Sequence, residues 1–192
     1  MYRLLAIGLS AGGFPLIRQL LHALPEDFSL PVVVVAHLPD AEESCMAELL
    51  DASSGLRVGM ASDKEALLRG RAYLAPPGYH LLLEQDAHAG LSFALSVDAP
   101  VNSVRPSIDV LFESAAEVLE ADLIAVLLSG ANSDGAAGMA AVKNLGGLCM
   151  VLDPRTSEFS TMQEAAIRRV EVDYVAGLDD IISLLLSVDE KA

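Results

Sequence analysis

Leu4-Leu5-Ala6-Ile7-Gly8-Leu9-Ser10-Ala11-Gly12-Gly13 is the stretch whose reading decides the fold. An apolar run from Leu4 to Ile7 leads into a glycine turn, and an amphipathic segment from Leu16 to Leu24 follows. The order reads as strand, tight turn, helix. Ser10 falls on the turn, lifted off the carboxyl end of the strand and facing the positive end of the helix. That placement suits a nucleophile, and the same turn suits a phosphate cradle.

Outward from this stretch, apolar strands and amphipathic helices alternate for most of the chain, the pattern of an α/β fold. Tyr2 to Ile7 reads as the first strand and Phe14 to Ala23 as the first helix. Val32 to Ala36 is apolar on both faces, as expected of a central strand in a parallel sheet covered on both sides. A helix over Ala41 to Ala52 and a short strand over Leu56 to Ala61 come next. Arg71 to Ala75, Tyr79 to Glu84 and Leu91 to Ser96 alternate in polarity between turn signals and read as hairpins, an antiparallel edge on the parallel sheet. The helical spacing resumes at Ser107 to Glu120, with Ser107 in the N-cap position. Leu123 to Leu128 is again fully apolar, followed by helix Gly135 to Leu145, strand Leu148 to Leu152, helix Thr161 to Arg169, a short strand at Tyr174 and Val175, and helix Asp179 to Leu186. The expected architecture is a doubly wound, mostly parallel sheet with helices on both faces and an antiparallel hairpin region. From its length, the chain is expected to form a single domain over residues 1–192.

Composition excludes several function classes. With 53% hydrophobic and 20% charged residues the chain is globular. No apolar run approaches the roughly 20 residues of a membrane span, and no signal-peptide pattern opens it, so a cytoplasmic location is the default. A formal net charge of −15 argues against nucleic acid and against an anionic membrane surface as partner. Cys45 and Cys149 read as two buried thiols, and no Cys/His spacing points to a metal; no cofactor is expected.

Ligands of a parallel α/β sheet bind outside the carboxyl ends of the strands. Three such ends carry reactive residues: Ser10 after the first strand, His37 after the valine strand, and Asp134 in Ser129-Gly130-Ala131-Asn132-Ser133-Asp134-Gly135. If those strands are neighbours, an imidazole can take the serine proton and a buried carboxylate can hold the ring. Backbone amides of the glycine turn would face the oxyanion, with Ala11, Gly12 and Ala131 as lining residues. Each residue also has a plainer reading. The Gly-x-Ser-x-Gly turn is a common helix entry, any single histidine is more often structural, and Asp134-Gly135 could cap the following helix. Of the other histidines, His22 lies on a helix, and His80 and His88 lie in the hairpin region.

These segments resemble those of the catalytic domain of the chemotaxis protein-glutamate methylesterases, the CheB family. Gly8 to Gly13 is similar to the family's Gly-x-Ser-Thr-Gly-Gly turn, Ala36-His37-Leu38-Pro39 to its Gln-His-Met-Pro, and Tyr73-Leu74-Ala75-Pro76 through His80 to its Tyr-Leu-Ala-Pro-Gly-x-x-His. Pro100-Val101-Asn102 through Arg105-Pro106-Ser107-Ile108-Asp109-Val110-Leu111-Phe112 is the most specific match. The resemblance implies a serine hydrolase that demethylates glutamate methyl esters on methyl-accepting chemoreceptors and deamidates glutamines there, with Ser10 as nucleophile, His37 as base and Asp134 as its orienter. Because the match begins near Met1, the expectation is a stand-alone catalytic domain, with any response regulator acting in trans. The chain departs from the family pattern at Ala11 (a threonine there), at Ala131 and Asn132 (methionine and glycine) and at Thr161-Met162-Gln163 (Gly-Met-Pro). An inactive relative that binds a receptor or another partner is the competing reading. A nucleotide-binding turn is the weaker one, since no Walker lysine follows and Arg18 lies inside the first helix.

Overall fold

A computed structural model describes residues 1–37, 40–86 and 90–189, so Leu38, Pro39 and His88 of the sequence motifs lie outside the described residues. In chain order the elements are β1 (Leu4–Leu9), α1 (Phe14–Ala23), β2 (Val32–Ala36), α2 (Asp40–Asp51), β3 (Arg57–Met60), β4 (Arg71–Leu74), β5 (His80–Asp86), β6 (Gly90–Ser96), α3 (Ile108–Leu119), β7 (Leu123–Leu127), α4 (Ala136–Asn144), β8 (Leu148–Leu152), α5 (Thr161–Arg169), β9 (Tyr174–Ala176) and α6 (Leu178–Asp189). Seven strands form one sheet in the order β3-β4-β2-β1-β7-β8-β9, every pair parallel. The doubly wound expectation is met.

The all-apolar strands are explained by the two faces they cover. Alternate residues of a strand point to opposite sides. Leu4, Ala6, Val33, Val35, Ala125 and Leu127 join one core with Phe112 of α3, Met139 of α4 and Met162 of α5. Leu5, Ile7, Val32, Val34, Ile124 and Val126 join the other with Ile17 and Leu20 of α1, Leu50 of α2 and Ile181 of α6. β1 sits at the centre, and successive strands wind away from it on both sides, so the order reverses between β1 and β7. That crevice is where a ligand belongs in such a sheet.

One strand differs from the sequence expectation. Arg71–Leu74 is not part of a hairpin but a parallel strand inserted between β3 and β2, with Arg57 opposite Arg71 and Val32 opposite Ala72. Ala72 and Leu74 enter one core and Tyr73 the other. The tyrosine mimicked a polar position, but its ring is buried and its hydroxyl is satisfied locally, accepting from Leu68 N–H at 2.9 Å and lying 3.3 Å from the carbonyl of Ala66. The true hairpin, β5 and β6, is a separate two-stranded sheet that packs on α3, not an edge of the main sheet. Cys149 is buried but Cys45 is exposed, and no disulfide joins them.

Candidate active site

Parallel register sets the first two residues side by side. Leu9 pairs with Ala36 and Gly8 with Leu127, so Ser10 and His37 each stand one position past the paired ends of adjacent strands. His37 N–H donates to the carbonyl of Leu9 (3.1 Å), and Ser10 N–H donates to the carbonyl of Ser129 (2.7 Å), which ties the turn to both neighbours of β1. The turn closes with Gly13 N–H on the Ser10 carbonyl at 2.9 Å. Gly12 sits at φ +73°, and a Cβ there would press on the Phe159 ring at 3.0 Å and Ser129 Oγ at 3.1 Å. The Ser129 hydroxyl in turn reaches the carbonyl of Ala11 at 2.7 Å. Among the described residues neither the Ala11 nor the Gly12 amide has an acceptor, and both precede the positive end of α1. The Ser10 hydroxyl likewise has no hydrogen-bond partner among the described residues.

Asp134 arrives from the loop after β7 and is completely buried. Its Oδ2 accepts from Ile108 N–H (2.6 Å) and lies 3.0 Å from His37 Nε2, whose N–H direction is off the line to the carboxylate. Its Oδ1 accepts from the Ser107 hydroxyl at 2.8 Å and from Asn102 Nδ2 at 2.9 Å. Asp134 therefore caps a helix, but that helix is α3 and not the one that follows it. Ser107 holds the N-cap position by sequence without capping by its side chain, because its hydroxyl is given to Asp134. Asn102, at φ +50°, spends its second proton on Asp109 Oδ2 at 2.8 Å. Asp109 is itself buried and also accepts from Gly138 N–H at 2.7 Å.

The start of α3 reaches Asp134 through a gap made by missing side chains. A Cβ on Gly8 would lie 2.4 Å from Ile108 Cγ2, and one on Gly135 would lie 2.9 Å from the same atom. Gly8→Ala should therefore push Ile108, and the N–H it offers Asp134, out of place. Overpacking of this kind costs about 1–3 kcal/mol. A lower urea midpoint together with slower ester hydrolysis is the expected result; an unchanged midpoint would show that α3 yields freely.

The two buried carboxylates divide their charge unequally. Burial opposes ionisation of Asp134, but the His37 imidazole beside it and the hydrogen bonds from Asn102, Ile108 and Ser107 outweigh it and hold the group down at about 2. Asp109 is pushed up, first by burial and then by the charge of Asp134, against the hydrogen bonds it accepts. The signs differ. A carboxyl with a raised value in the fold binds its proton there first, so acidification through mild pH favours the folded state by way of Asp109. Asp134 stabilises the fold above the unfolded carboxylate value, roughly pH 4, and loses that contribution as pH falls towards 2. Urea midpoints at stepped pH should show the mild-acid gain vanish in Asp109→Asn while the loss below about pH 4 remains.

Two residues of the β7–α4 loop, Ala131 and Asn132, differ in what they touch. Ala131 is exposed and lies one residue past Gly130, whose own N–H is taken by the carbonyl of Phe159 at 3.1 Å. Asn132 places its Nδ2 3.4 Å from His37 Nδ1. Gly130 is needed for packing: a Cβ there would lie 2.4 Å from Met162 Cε, at the first turn of α5. Three residues that the sequence reading did not place in the site thus surround it: Asn102, Ser107 and Asn132. The first two lay inside the motif from Pro100 to Phe112, whose density of polar residues at a helix start was the available signal. His80, also unassigned, is buried behind them, accepting from Ser107 N–H at 3.2 Å and facing the Ala99 carbonyl at 3.1 Å. Among the described residues no group of His, Cys, Asp and Glu is arranged to hold a metal ion, and no helix is long and apolar enough to cross a membrane. The cavities around Met1, Tyr2 and Leu30 open at the amino ends of the strands, far from this chemistry.

Comparison with known proteins bears on the fold and the family. The family model described as CheB methylesterase matches residues 5–185. A Leptospira interrogans protein, provisionally named protein-glutamate methylesterase/protein-glutamine glutaminase, is 42% identical over 190 residues, covering 99% of this chain and 96% of its own length. The protein-glutamate methylesterase/protein-glutamine glutaminase of Natronomonas pharaonis is 39% identical over 171 residues, and there the match covers 89% of this chain but 48% of the relative. The crystal structure of the Thermotoga maritima CheB methylesterase catalytic domain superposes with a TM-score of 0.93 at 32% identity, covering 98% of this chain and 99% of that domain.

Proposed function

The chain belongs to the CheB methylesterase family, and from that premise we propose that it is a serine hydrolase acting on glutamate methyl esters of methyl-accepting chemoreceptors in the cytoplasm. The observation that carries the proposal is a buried Asp134 carboxylate 3.0 Å from His37 Nε2, with Ser10 and His37 each one position past the paired ends of neighbouring strands.

The reaction follows from the placement. Ser10 Oγ attacks the ester carbonyl carbon as its proton passes to His37 Nδ1, the ring nitrogen that faces away from Asp134. Asp134, ionised across the neutral range, stabilises the imidazolium and keeps the ring in place. The negative oxygen of the tetrahedral intermediate is met by the Ala11 and Gly12 amides at the positive end of α1. The C–O bond to the methoxy group breaks and the imidazolium proton leaves with it as methanol. Water, deprotonated by the same nitrogen, then attacks the acyl-Ser10 ester, and a glutamate carboxylate and free Ser10 result. A glutamine side chain follows the same course with ammonia as the leaving group.

A fluorophosphonate that phosphonylates activated serines tests the assignment. Peptide mass spectrometry should find the adduct on the peptide carrying Ser10, with loss of methanol release in step. Release that continues after full modification of Ser10 would end the proposal, as would a receptor-binding protein that releases no methanol at all.

A further inference from the structure

The proposed reaction needs His37 to hold a proton on one ring nitrogen and a lone pair on the other. Asp134 can meet only half of that demand. Its carboxylate facing Nε2 calls for a proton there, and both the neutral ring and the imidazolium have one. The two states differ at Nδ1, and the residue facing Nδ1 is Asn132, 3.4 Å away.

Which end of the Asn132 amide faces the ring is decided locally. Its Oδ1 accepts from the Asp134 backbone N–H at 3.2 Å, a turn that asparagine makes with the residue two positions on. The reverse orientation would set the amide protons against that N–H. Nδ2 is thus the end that points at His37, and it can only donate. A donor opposite Nδ1 favours the lone pair there and is incompatible with a proton.

We propose that Asn132 is a positioning residue that reserves Nδ1 of His37 as a proton acceptor in the resting enzyme. The inference rests on the reading of His37 as general base. The family pattern that the sequence resembles has glycine at this position. Nδ1 has one lone pair, so the Asn132 hydrogen bond breaks as the Ser10 hydroxyl takes its place and passes its proton; the imidazolium that forms is then opposed by the same amide, which favours rapid delivery of the proton to the leaving group.

The test uses protein labelled with 15N in its histidine rings, with the His37 signals identified by their absence from His37→Gln. At neutral pH the wild type should show Nδ1 unprotonated and Nε2 protonated. Asn132→Asp turns the donor into an acceptor, so both ring nitrogens should carry protons, and methanol release should fall on the order of 10²-fold, the lower range of what a general base contributes. Asn132→Gly should move the Nδ1 signal part-way towards the protonated position at the same pH. Wild-type ring signals in both variants would overturn the proposal, as would a protonated Nδ1 in the wild type. The spectrum reads the resting protein. Methanol release that survives Ser10→Ala would therefore sink the hydrolase reading while leaving the proton assignment intact.

Discussion

Ser10→Ala should reduce methanol release from methylated receptor by at least about 10⁴-fold, to the residual rate that an oxyanion site and substrate binding supply without a nucleophile. The loss should fall on the chemical step, since alanine keeps the backbone amides of the turn. Stability should hardly change: the Ser10 hydroxyl has no hydrogen-bond partner among the described residues, and such substitutions lie within about ±0.5 kcal/mol. Thermal melting alongside a methanol assay separates the two effects. An alanine variant that still turns over substrate would sink the hydrolase reading of this site, since the nearby Ser129 hydroxyl is buried and already given to the carbonyls of Ala11 and Phe159.

Asp134→Asn should damage both rate and fold. The two carboxylate oxygens receive Ile108 N–H, the Ser107 hydroxyl and Asn102 Nδ2, and face His37 Nε2 as well. An amide keeps the shape but sets its own N–H₂ against donors, whichever way it turns. Removing one partner of a buried, hydrogen-bonded charge costs about 3–5 kcal/mol. Loss of the carboxylate that steadies a catalytic imidazole costs about 10⁴ in kcat. Urea unfolding and methanol release measured on the same preparation should both move. A variant that is slow but fully stable would mean that α3 does not depend on this cap.

The parallel sheet was legible because its strands are apolar on both faces, and Val32 to Ala36 and Leu123 to Leu128 can be buried no other way. β4 was not legible, since four residues containing a tyrosine look half-exposed until the tyrosine hydroxyl is seen to find partners five and seven residues away in sequence. Ser10, His37 and Asp134 stood out as candidates because Ser10 and His37 directly follow apolar strands and Asp134 lies in the loop after a third, and strand ends are where a parallel sheet presents its chemistry. The cap on α3 could not be foreseen. Ser107 is the right residue type in the right position, and only the three-dimensional fold brings a carboxylate from 27 residues away to claim its hydroxyl. The acceptor for Ile108 N–H lies 26 residues off, beyond any local pattern.

The cap has an evolutionary consequence. Asp134 serves the fold whether or not any ester is cleaved, whereas in the proposed mechanism the hydroxyl of Ser10 serves the reaction alone. A lineage relieved of selection for hydrolysis would lose the serine early and keep the aspartate, because purifying selection for a folded protein still acts on one and no longer on the other. Descendants that retain Asp134, Asn102 and Ser107 around an absent Ser10 would be fossils of an enzyme. The presence of the aspartate by itself is poor evidence that a member of this lineage still turns over substrate.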